Sequence, residues 1–229
     1  MQKGNKYQTP LYGELVVVNY FSSSKVEVEF SHTGFRKTFA AYDIRAGRVR
    51  DPYFPINFNV GFVGEGEFNT STHRQAARIW YGMLLRCYGE GSRPTYSDCS
   101  VTPSWYNFQV FAKWYYTHHI FGYHLDKDLT ILGNRCYSPE TCCFITPQLN
   151  SALHGADTAS ASFVLPSKRL RVQMRIQGRS EYLGTVDTKD EARLLYVKAK
   201  RVELLRQIDL PTTPEQVKAG ILNFMEIYL

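Results

Sequence analysis

The segment KRLRVQMRI, residues 168–176, restricts the fold most, because its apolar and polar side chains alternate with a period of two. The apolar positions are Leu170, Val172, Met174 and Ile176, and the alternate positions are Arg169, Arg171, Gln173 and Arg175. This pattern predicts a strand with one buried face and one face rich in arginine. A strand needs only one or two mixed charges to stay hydrated, so three arginines on one face favour contact with a nucleic acid.

A hairpin and one helix complete this C-terminal unit. The segment QGRS predicts a turn, EYLGTV predicts the returning strand, and Thr188 with Glu191 has the spacing of a capping box at the start of a helix. The apolar stripe of that helix is Ala192, Leu195, Tyr196, Ala199 and Val202. We expect this stripe to cover the apolar face of the sheet, so that the arginine-rich face stays open.

The positive charge of the chain is concentrated in the same region. The whole chain has a net charge of +6. Residues 168–206 contain eleven Lys or Arg and five Asp or Glu, so this short segment accounts for all of the net charge. A local excess of this kind indicates a polyanionic partner.

Three further parts precede and follow this unit, and together they predict an α+β fold. Residues 1–64 are rich in strand patterns such as KVEVEF and predict a small β-barrel-like module or a twisted sheet. This module serves either as a scaffold or dimerisation unit or in contact with DNA. Residues 65–157 predict two aromatic-rich helices, one capped by Thr72 and Gln75 and one running from Ser104 to Gly122. The strands HLDKDLTI and CCFIT and a helix capped by Thr146 follow them. Residues 158–208 form the three-stranded sheet backed by one helix, and residues 209–229 form an amphipathic helix.

The segment EYLGTVDTKDEARLLYVKAK resembles the Apetala-two domain of plant ethylene-response factors, which also occurs in phage and mobile-element endonucleases. The resemblance implies that a three-stranded sheet, backed by one helix, lays its exposed face in the major groove of double-stranded DNA. The residues that would contact bases and phosphates are Lys168, Arg169, Arg171, Arg175 and Arg179. Arginine suits both tasks, because its guanidinium binds guanine edges bidentately and neutralises phosphates.

The segments IWYGMLLRCYG, PTYSDCSVTPSWYNFQVFAKW and LDKDLTILGNRCYSPETCCFITPQLN resemble the His-Asn-His (HNH) endonucleases of phage and intron origin. The resemblance implies a strand–turn–strand–helix unit, a ββα-metal core, around one divalent metal. Asp126 then occupies the carboxylate ligand position, Asn134 braces the turn, and Asn150 is the ligand from the helix. A hard cation, Mg²⁺ or Mn²⁺, suits these oxygen ligands.

The position of the general-base histidine in that family is Lys127, and a lysine with a pKa near ~10.4 is a poor base at neutral pH. Three alternatives remain open. Either His124 or Asp128 takes over as the base, or water reacts without a good base, or the site is inactive. His124 and Asp128 each lie two residues from Asp126, so on a strand all three would face the same way. The sequence thus predicts an HNH-like DNA endonuclease or, alternatively, a catalytically decayed DNA-binding or host-interaction protein.

The five cysteines, Cys87, Cys99, Cys136, Cys142 and Cys143, contain no CxxC pair. We therefore expect reduced, buried thiols and no zinc site. The chain contains no apolar run long enough to span a membrane, and its N-terminal segment lacks the apolar core of a signal peptide. We expect a protein that acts in the cytoplasm of an infected bacterial host, with double-stranded DNA as its partner; a host protein is the partner in the alternative interpretation.

Overall fold

The computed structural model describes residues 1–91, 94–153, 162–165 and 168–229. These residues form a mixed fold of helices and small sheets, as expected from the sequence, and contain no closed barrel. The chain divides into two compact units, Met1–Thr117 and His118–Leu229. No helix within the described ranges is long and apolar enough to cross a membrane.

The first unit begins with an open, antiparallel four-stranded sheet. Its strands follow one another in chain order: β1 (Lys6–Thr9), β2 (Gly13–Ser22), β3 (Lys25–Phe30) and β4 (Arg36–Phe39). Alternate side chains of β2 and β3, among them Leu15, Val17 and Val28, are buried together with Ile44 of the short helix α1 (Ala41–Arg45). The barrel-like module predicted for residues 1–64 is wrong, because four strands, two of them only four residues long, leave β1 and β4 as separate edges.

An aromatic core fills the rest of the first unit. The helices α2 (Arg74–Tyr88) and α3 (Phe108–His118) flank the short strand β5 (Ser100–Val101) and two 3₁₀ turns, Pro94–Tyr96 and Pro103–Tyr106. The indole nitrogen of Trp80 donates to the carbonyl oxygen of Trp105 at 2.7 Å. The rings of Trp105 and Trp114 lie 4.7 Å apart. Trp80, Trp105, Phe108 and Phe111 are almost fully buried, so these aromatic side chains form a core.

The predicted ends of both helices differ from the structure. α2 begins at Arg74, after His73, and the Thr72 hydroxyl donates to the carbonyl oxygen of Asn69 at 3.3 Å in the preceding turn. α3 begins at Phe108 because residues 103–106 form a tighter 3₁₀ turn. It ends at His118, before Gly122.

The second unit starts with a strand–strand–helix segment. Its elements are β6 (His124–Asp126), β7 (Cys136–Tyr137), β8 (Cys143–Ile145) and α4 (Pro147–Leu153). β6 and β8 pair antiparallel, with His124 opposite Ile145. The Thr146 hydroxyl accepts from the backbone N–H of Leu149 at 3.0 Å, so the predicted cap of α4 is confirmed.

A three-stranded antiparallel sheet follows, with β10 (Leu170–Ile176) between β11 (Arg179–Val186) and β9 (Ser162–Val164). The alternation predicted for β10 is confirmed, since Leu170, Val172 and Met174 are buried while Arg171 and Arg175 are exposed. Helix α5 (Lys189–Ile208) begins with the predicted Thr188–Glu191 capping box and packs on β10 and β11.

The last helix, α6 (Glu215–Tyr228), joins the core of the second unit. Val217, Ile221 and Phe224 of α6 are buried in one cluster with Leu204 of α5 and Leu149 of α4. The predicted boundary between residues 208 and 209 therefore does not separate independent cores, and the one between residues 157 and 158 lies outside the described residues.

Helix α5 contributes to two apolar clusters along its length. Its first turns cover the sheet, and its last turns face α4 and α6. Because the buried face changes along the helix, the predicted stripe fails at Val202, which is 68% exposed, whereas Lys200 and Gln207 are buried.

Candidate functional site

The pairing of β6 with β8 brings His124 beside helix α4. His124 Nδ1 and Asn150 Nδ2 lie 3.1 Å apart, although the two residues are 26 positions apart in the chain. With the amide nitrogen as donor, Nδ1 is the acceptor, and a neutral imidazole then carries its proton on Nε2. His124 is exposed, and Asn150 is half-buried.

Asp126 ends β6 through its own side chain. Its Oδ1 accepts from the backbone N–H groups of Asp128 at 3.1 Å and Leu129 at 2.8 Å. The other carboxylate oxygen has no hydrogen bond among the described residues. Burial, and then the nearby Asp128 carboxylate, raise the pKa of Asp126. The predicted strand HLDKDLTI thus stops at Asp126, and the expectation that Asp128 faces the same way along a strand is wrong because Asp128 lies in a turn.

Lys127, which the resemblance to HNH endonucleases aligns with a general base, lies inside the structure. It is 6% exposed. Its Nζ donates to Asp128 Oδ2 at 2.9 Å and to the carbonyl oxygen of Asn134 at 3.2 Å, and it lies 5.8 Å from the centre of the Tyr137 ring. An ammonium group engaged in this way acts as a structural tie, not as a proton acceptor.

Asn134 holds the two sides of the loop between β6 and β7 together. Its Nδ2 donates to the carbonyl oxygens of Lys127 at 2.6 Å and Cys136 at 2.7 Å, and its Oδ1 accepts from the N–H of Cys136 at 3.2 Å. Lys127 Nζ bonds back to the carbonyl of Asn134, so the two residues bind each other reciprocally. We call these two side chains the loop clamp. Its geometry is that of a braced turn.

Carboxylate and amide oxygens such as those of Asp126 and Asn150 are the ligand types that a hard divalent cation prefers. If Nδ2 of Asn150 donates to His124, its Oδ1 stays free, and one oxygen of Asp126 also lacks a hydrogen bond within the described part of the chain. Mg²⁺ keeps several waters and needs only one or two carboxylates from a protein. The described residues hold no group of three or more His, Cys, Asp or Glu side chains that would form a richer site.

Of the five thiols expected to be buried, Cys99, Cys142 and Cys143 are buried, whereas Cys87 and Cys136 are half-buried. Cys142 and Cys143 are buried, and burial raises the pKa of the Cys142 thiol to about 12 and that of Cys143 further still. Such thiols stay protonated near neutral pH, and only the thiolate binds zinc well.

The exposed side of the three-stranded sheet forms a basic and aromatic surface. We define the arginine face as the side chains of Arg171, Gln173 and Arg175 on β10 and Tyr182 on β11. The guanidinium of Arg171 lies 5.2 Å from the centre of the Tyr182 ring. With its amide oxygen turned toward Arg171, Gln173 accepts from Arg171 Nε at 2.8 Å. These contacts hold one guanidinium upright on a solvent-exposed surface.

The other predicted DNA contacts differ in how far their charge is offset. Arg169 forms an ion pair with Asp187 at 2.7 Å. Arg175 Nε donates to the carbonyl oxygen of Gly178 at 3.1 Å and has no carboxylate partner among the described residues. Lys168 lies in the bend before β10, and Arg179 starts β11; both are exposed.

The sequence placed Gln173 on the polar face of β10 but did not reveal Tyr182 as part of this surface. The sequence contained one clue to the pairing of the two strands, the Gln-Gly pair at residues 177 and 178. Both residues have positive φ and form the two-residue turn that sets the register of the hairpin. An irregularity after Val172 then places Tyr182 opposite Gln173, which the alternation alone does not reveal.

Compared with protein-family models, curated proteins and solved structures, the chain matches none. The functional interpretation therefore depends on the geometry of the loop clamp, the His124–Asn150 pair and the arginine face.

Proposed function

We propose that this chain is a phage-type, HNH-like endonuclease that binds double-stranded DNA through its arginine face and hydrolyses phosphodiester bonds at the β6–β8–α4 segment. Its place of action would be the cytoplasm of an infected bacterial host. The observation that carries the proposal is the contact of His124 on β6 with Asn150 on α4 at 3.1 Å. Asn134 braces the loop that follows β6.

DNA binding is supported by the charge of the C-terminal sheet. Arg171, Arg175 and Arg179 are exposed and lack ion-pair partners among the described residues, so their charge is available to phosphates. Tyr182 and Gln173 orient Arg171 outward, which reduces the conformational entropy that the side chain loses on binding.

The residues of the second site have separate tasks in this proposal. Asp126 and Asn150 would hold Mg²⁺ or Mn²⁺, which stabilises the charge that develops on the scissile phosphate. His124 orients the Asn150 amide, and its Nε2–H can donate to a phosphate oxygen. The loop clamp keeps the Asp126 turn in place. A role for His124 as the base requires release of its bond to Asn150, because that bond occupies the lone pair of Nδ1.

A second candidate is a DNA-binding protein without nuclease activity, acting on DNA or on a host protein. One observation favours it: Lys127, at the base position, is buried and bound to Asp128 and Asn134. A side chain held by these two acceptors is not placed to act as a general base.

A nicking assay distinguishes the two candidates. Full-length protein is incubated with supercoiled plasmid and Mg²⁺ or Mn²⁺, with and without chelator, and relaxed circles are measured. We expect nicking that needs the metal. Asp126→Asn should abolish it while leaving the fold and DNA affinity unchanged, because an amide oxygen still accepts the two N–H groups of the turn. Asp209→Asn, the same change at the exposed end of α5, is the control.

Lys127→His tests whether only the base is missing. A positioned base contributes about 100-fold or more. Residue 127, however, is 6% exposed and its side chain belongs to the loop clamp, so this variant should nick no faster than the parent. If neither the parent nor Lys127→His nicks DNA that both proteins bind, the second candidate is correct. If Asp126→Asn nicks as fast as the parent, the metal assignment is wrong.

A further inference from the structure

A cleft lies where α4 approaches the turn between β10 and β11. It has a volume of about 220 Å³. Its lining residues are Pro147, Gln148 and Ser151 of α4 with Arg175, Gln177 and Gly178 of the hairpin. The cleft is thus built jointly by the helix that carries Asn150 and by the strand that carries the arginine face.

The lining of this cleft suits an anion. Arg175 is its charged residue, and no carboxylate lines it among the described residues. The bond from Arg175 Nε to the Gly178 carbonyl fixes the guanidinium at the turn and leaves its two terminal amino groups without a hydrogen bond in the described part of the chain. Gln148, Ser151 and Gln177 add neutral donors.

An adjoining cleft shows where the positive charge is located. Gln148 and Gln177 also line a second space of about 310 Å³, which extends to Arg206. Arg206 is paired with the buried carboxylate of Glu203 at 2.7 Å, so its charge is largely offset. The uncompensated charge of this region is therefore at Arg175.

The cleft is formed before any ligand binds, because a shared core holds its two sides. Leu149 and Ala152, on the inner side of α4, are buried in one cluster with Leu204 of α5. The same helix α5 packs against β10. A site with fixed walls loses little conformational entropy on binding.

We propose that this cleft binds one phosphate group of the DNA backbone, through the guanidinium of Arg175 and the side chains of Gln148 and Ser151. The proposal rests on the proposed binding of duplex DNA and adds a contact from α4 to it. A phosphodiester carries one negative charge and accepts several hydrogen bonds, which matches this set of donors. Phosphate contacts fix the position of a duplex, so this one positions DNA between the arginine face and the β6–α4 segment.

The test places a carboxylate in the cleft. Gln148→Glu is compared with Gln216→Glu, the same change at an exposed position of α6. Affinity of the full chain for a fluorescently labelled duplex of random sequence is measured by anisotropy at several salt concentrations. Gln148→Glu should weaken binding by about tenfold or more, since a carboxylate repels the phosphate, and should flatten the salt slope by about 0.9. Gln216→Glu should change neither quantity appreciably. Thermal unfolding verifies that both variants fold.

A double-mutant cycle with Arg175→Ala separates a shared phosphate from general electrostatic repulsion. Once Arg175→Ala has removed the phosphate from the cleft, adding Gln148→Glu should cost little more, so the two effects should be strongly non-additive. Additive effects, or equal losses for Gln148→Glu and Gln216→Glu, would overturn the proposal. If Arg171→Ala still weakens binding in that case, duplex binding stands without the cleft. A parent protein that binds no duplex would overturn both proposals.

Discussion

At the scale of single residues, the loop clamp is the feature on which the candidate nuclease site depends. Asn134 makes three hydrogen bonds to backbone groups of Lys127 and Cys136, which lie on the two sides of the loop. Lys127 is buried against the same loop. The clamp fixes the residues that directly follow Asp126, so it determines how the carboxylate is presented.

We predict that Asn134→Ala lowers the free energy of unfolding by about 2–3 kcal/mol, because three hydrogen bonds of about 1 kcal/mol each are lost. Asn223→Ala, at an exposed position of α6, should leave stability nearly unchanged, since alanine is the better helix former. Urea unfolding of both variants measures the difference. Equal midpoints for the two would show that the clamp contributes nothing.

Lys200 is the second residue with a consequence for stability. It is fully buried on α5, and its Nζ lies 5.6 Å from the ring centre of Tyr196 and 5.4 Å from that of Phe224. Burial lowers the pKa of Lys200 from 10.5 to about 8. As the pH rises, Lys200 therefore loses its proton at a lower pH in the folded chain than in the unfolded chain. This means that the charged form of Lys200 destabilises the fold.

The sign of the pH dependence follows from that shift. Below pH 8 both states carry the proton, so the destabilisation is constant; between pH 8 and about 10 the unfolded state binds more protons, and stability rises with pH. We predict that Lys200→Met raises stability at pH 7 by up to about 3 kcal/mol and removes this rise. Chemical denaturation of parent and variant across this range tests it. A parent curve that falls from pH 8 upward in parallel with that of the variant would contradict the assignment.

At the scale of elements, helix α6 packs closely against the loop beside the candidate site, and the point of contact is Gly220. A Cβ added at Gly220 would lie 2.6 Å from the carbonyl oxygen of Leu129, in the loop after Asp126. Real Cβ atoms do not approach backbone that closely, so the helix and the loop must separate if the glycine is replaced. The close approach of α6 to this loop therefore requires glycine.

We predict that Gly220→Ala destabilises the protein by about 1–3 kcal/mol, the usual range for overpacking. Gly82→Ala in α2 is the matched control, because its nearest neighbour would be Arg86 at 3.8 Å. That change should stabilise by about 0.5–1 kcal/mol, since alanine favours helix. Opposite shifts in melting temperature are the expected result. A stabilised Gly220→Ala variant would mean that α6 does not pack closely on the loop.

Element boundaries were harder to predict than the elements themselves. The strand β10 and the capping box of α5 could be predicted because alternation and capping involve residues within four positions of each other. The end of β6 could not be predicted in this way. The Asp126 side chain accepts from the backbone N–H groups that follow it, and these local hydrogen bonds compete with continuation of the strand. The sequence of residues 1–64 also did not reveal whether their strands close into a barrel, because closure depends on how many strands pair and in which order.

At the scale of the whole molecule, the second unit contains one strongly basic segment and two buried thiols, although its own net charge is +2 against +4 for the first unit. The basic segment 168–206 belongs to this unit, as do the buried Cys142 and Cys143. Their raised pKa values keep both thiols protonated, so neither supplies a thiolate at neutral pH.

We therefore predict that exhaustive chelation leaves the melting temperature of the full chain nearly unchanged. A structural zinc contributes on the order of 10 kcal/mol to folding, so its removal would be obvious in a thermal scan. The measurement is made before and after dialysis against chelator, with metal analysis of the dialysate. Zinc in the dialysate together with a large fall in melting temperature would contradict the prediction.

The sequence by itself determined the alternating strand 170–176, the caps at Thr146 and Thr188 and the concentration of positive charge, because each depends on neighbouring residues. Only the tertiary structure decided that Lys127 is buried and bound to Asn134, that His124 meets Asn150, and that α6 shares a core with α4 and α5. Lys127 and Asn134 are 7 positions apart in the chain, and His124 and Asn150 are 26 positions apart. These contacts depend on strand pairing and helix packing, which no local pattern encodes.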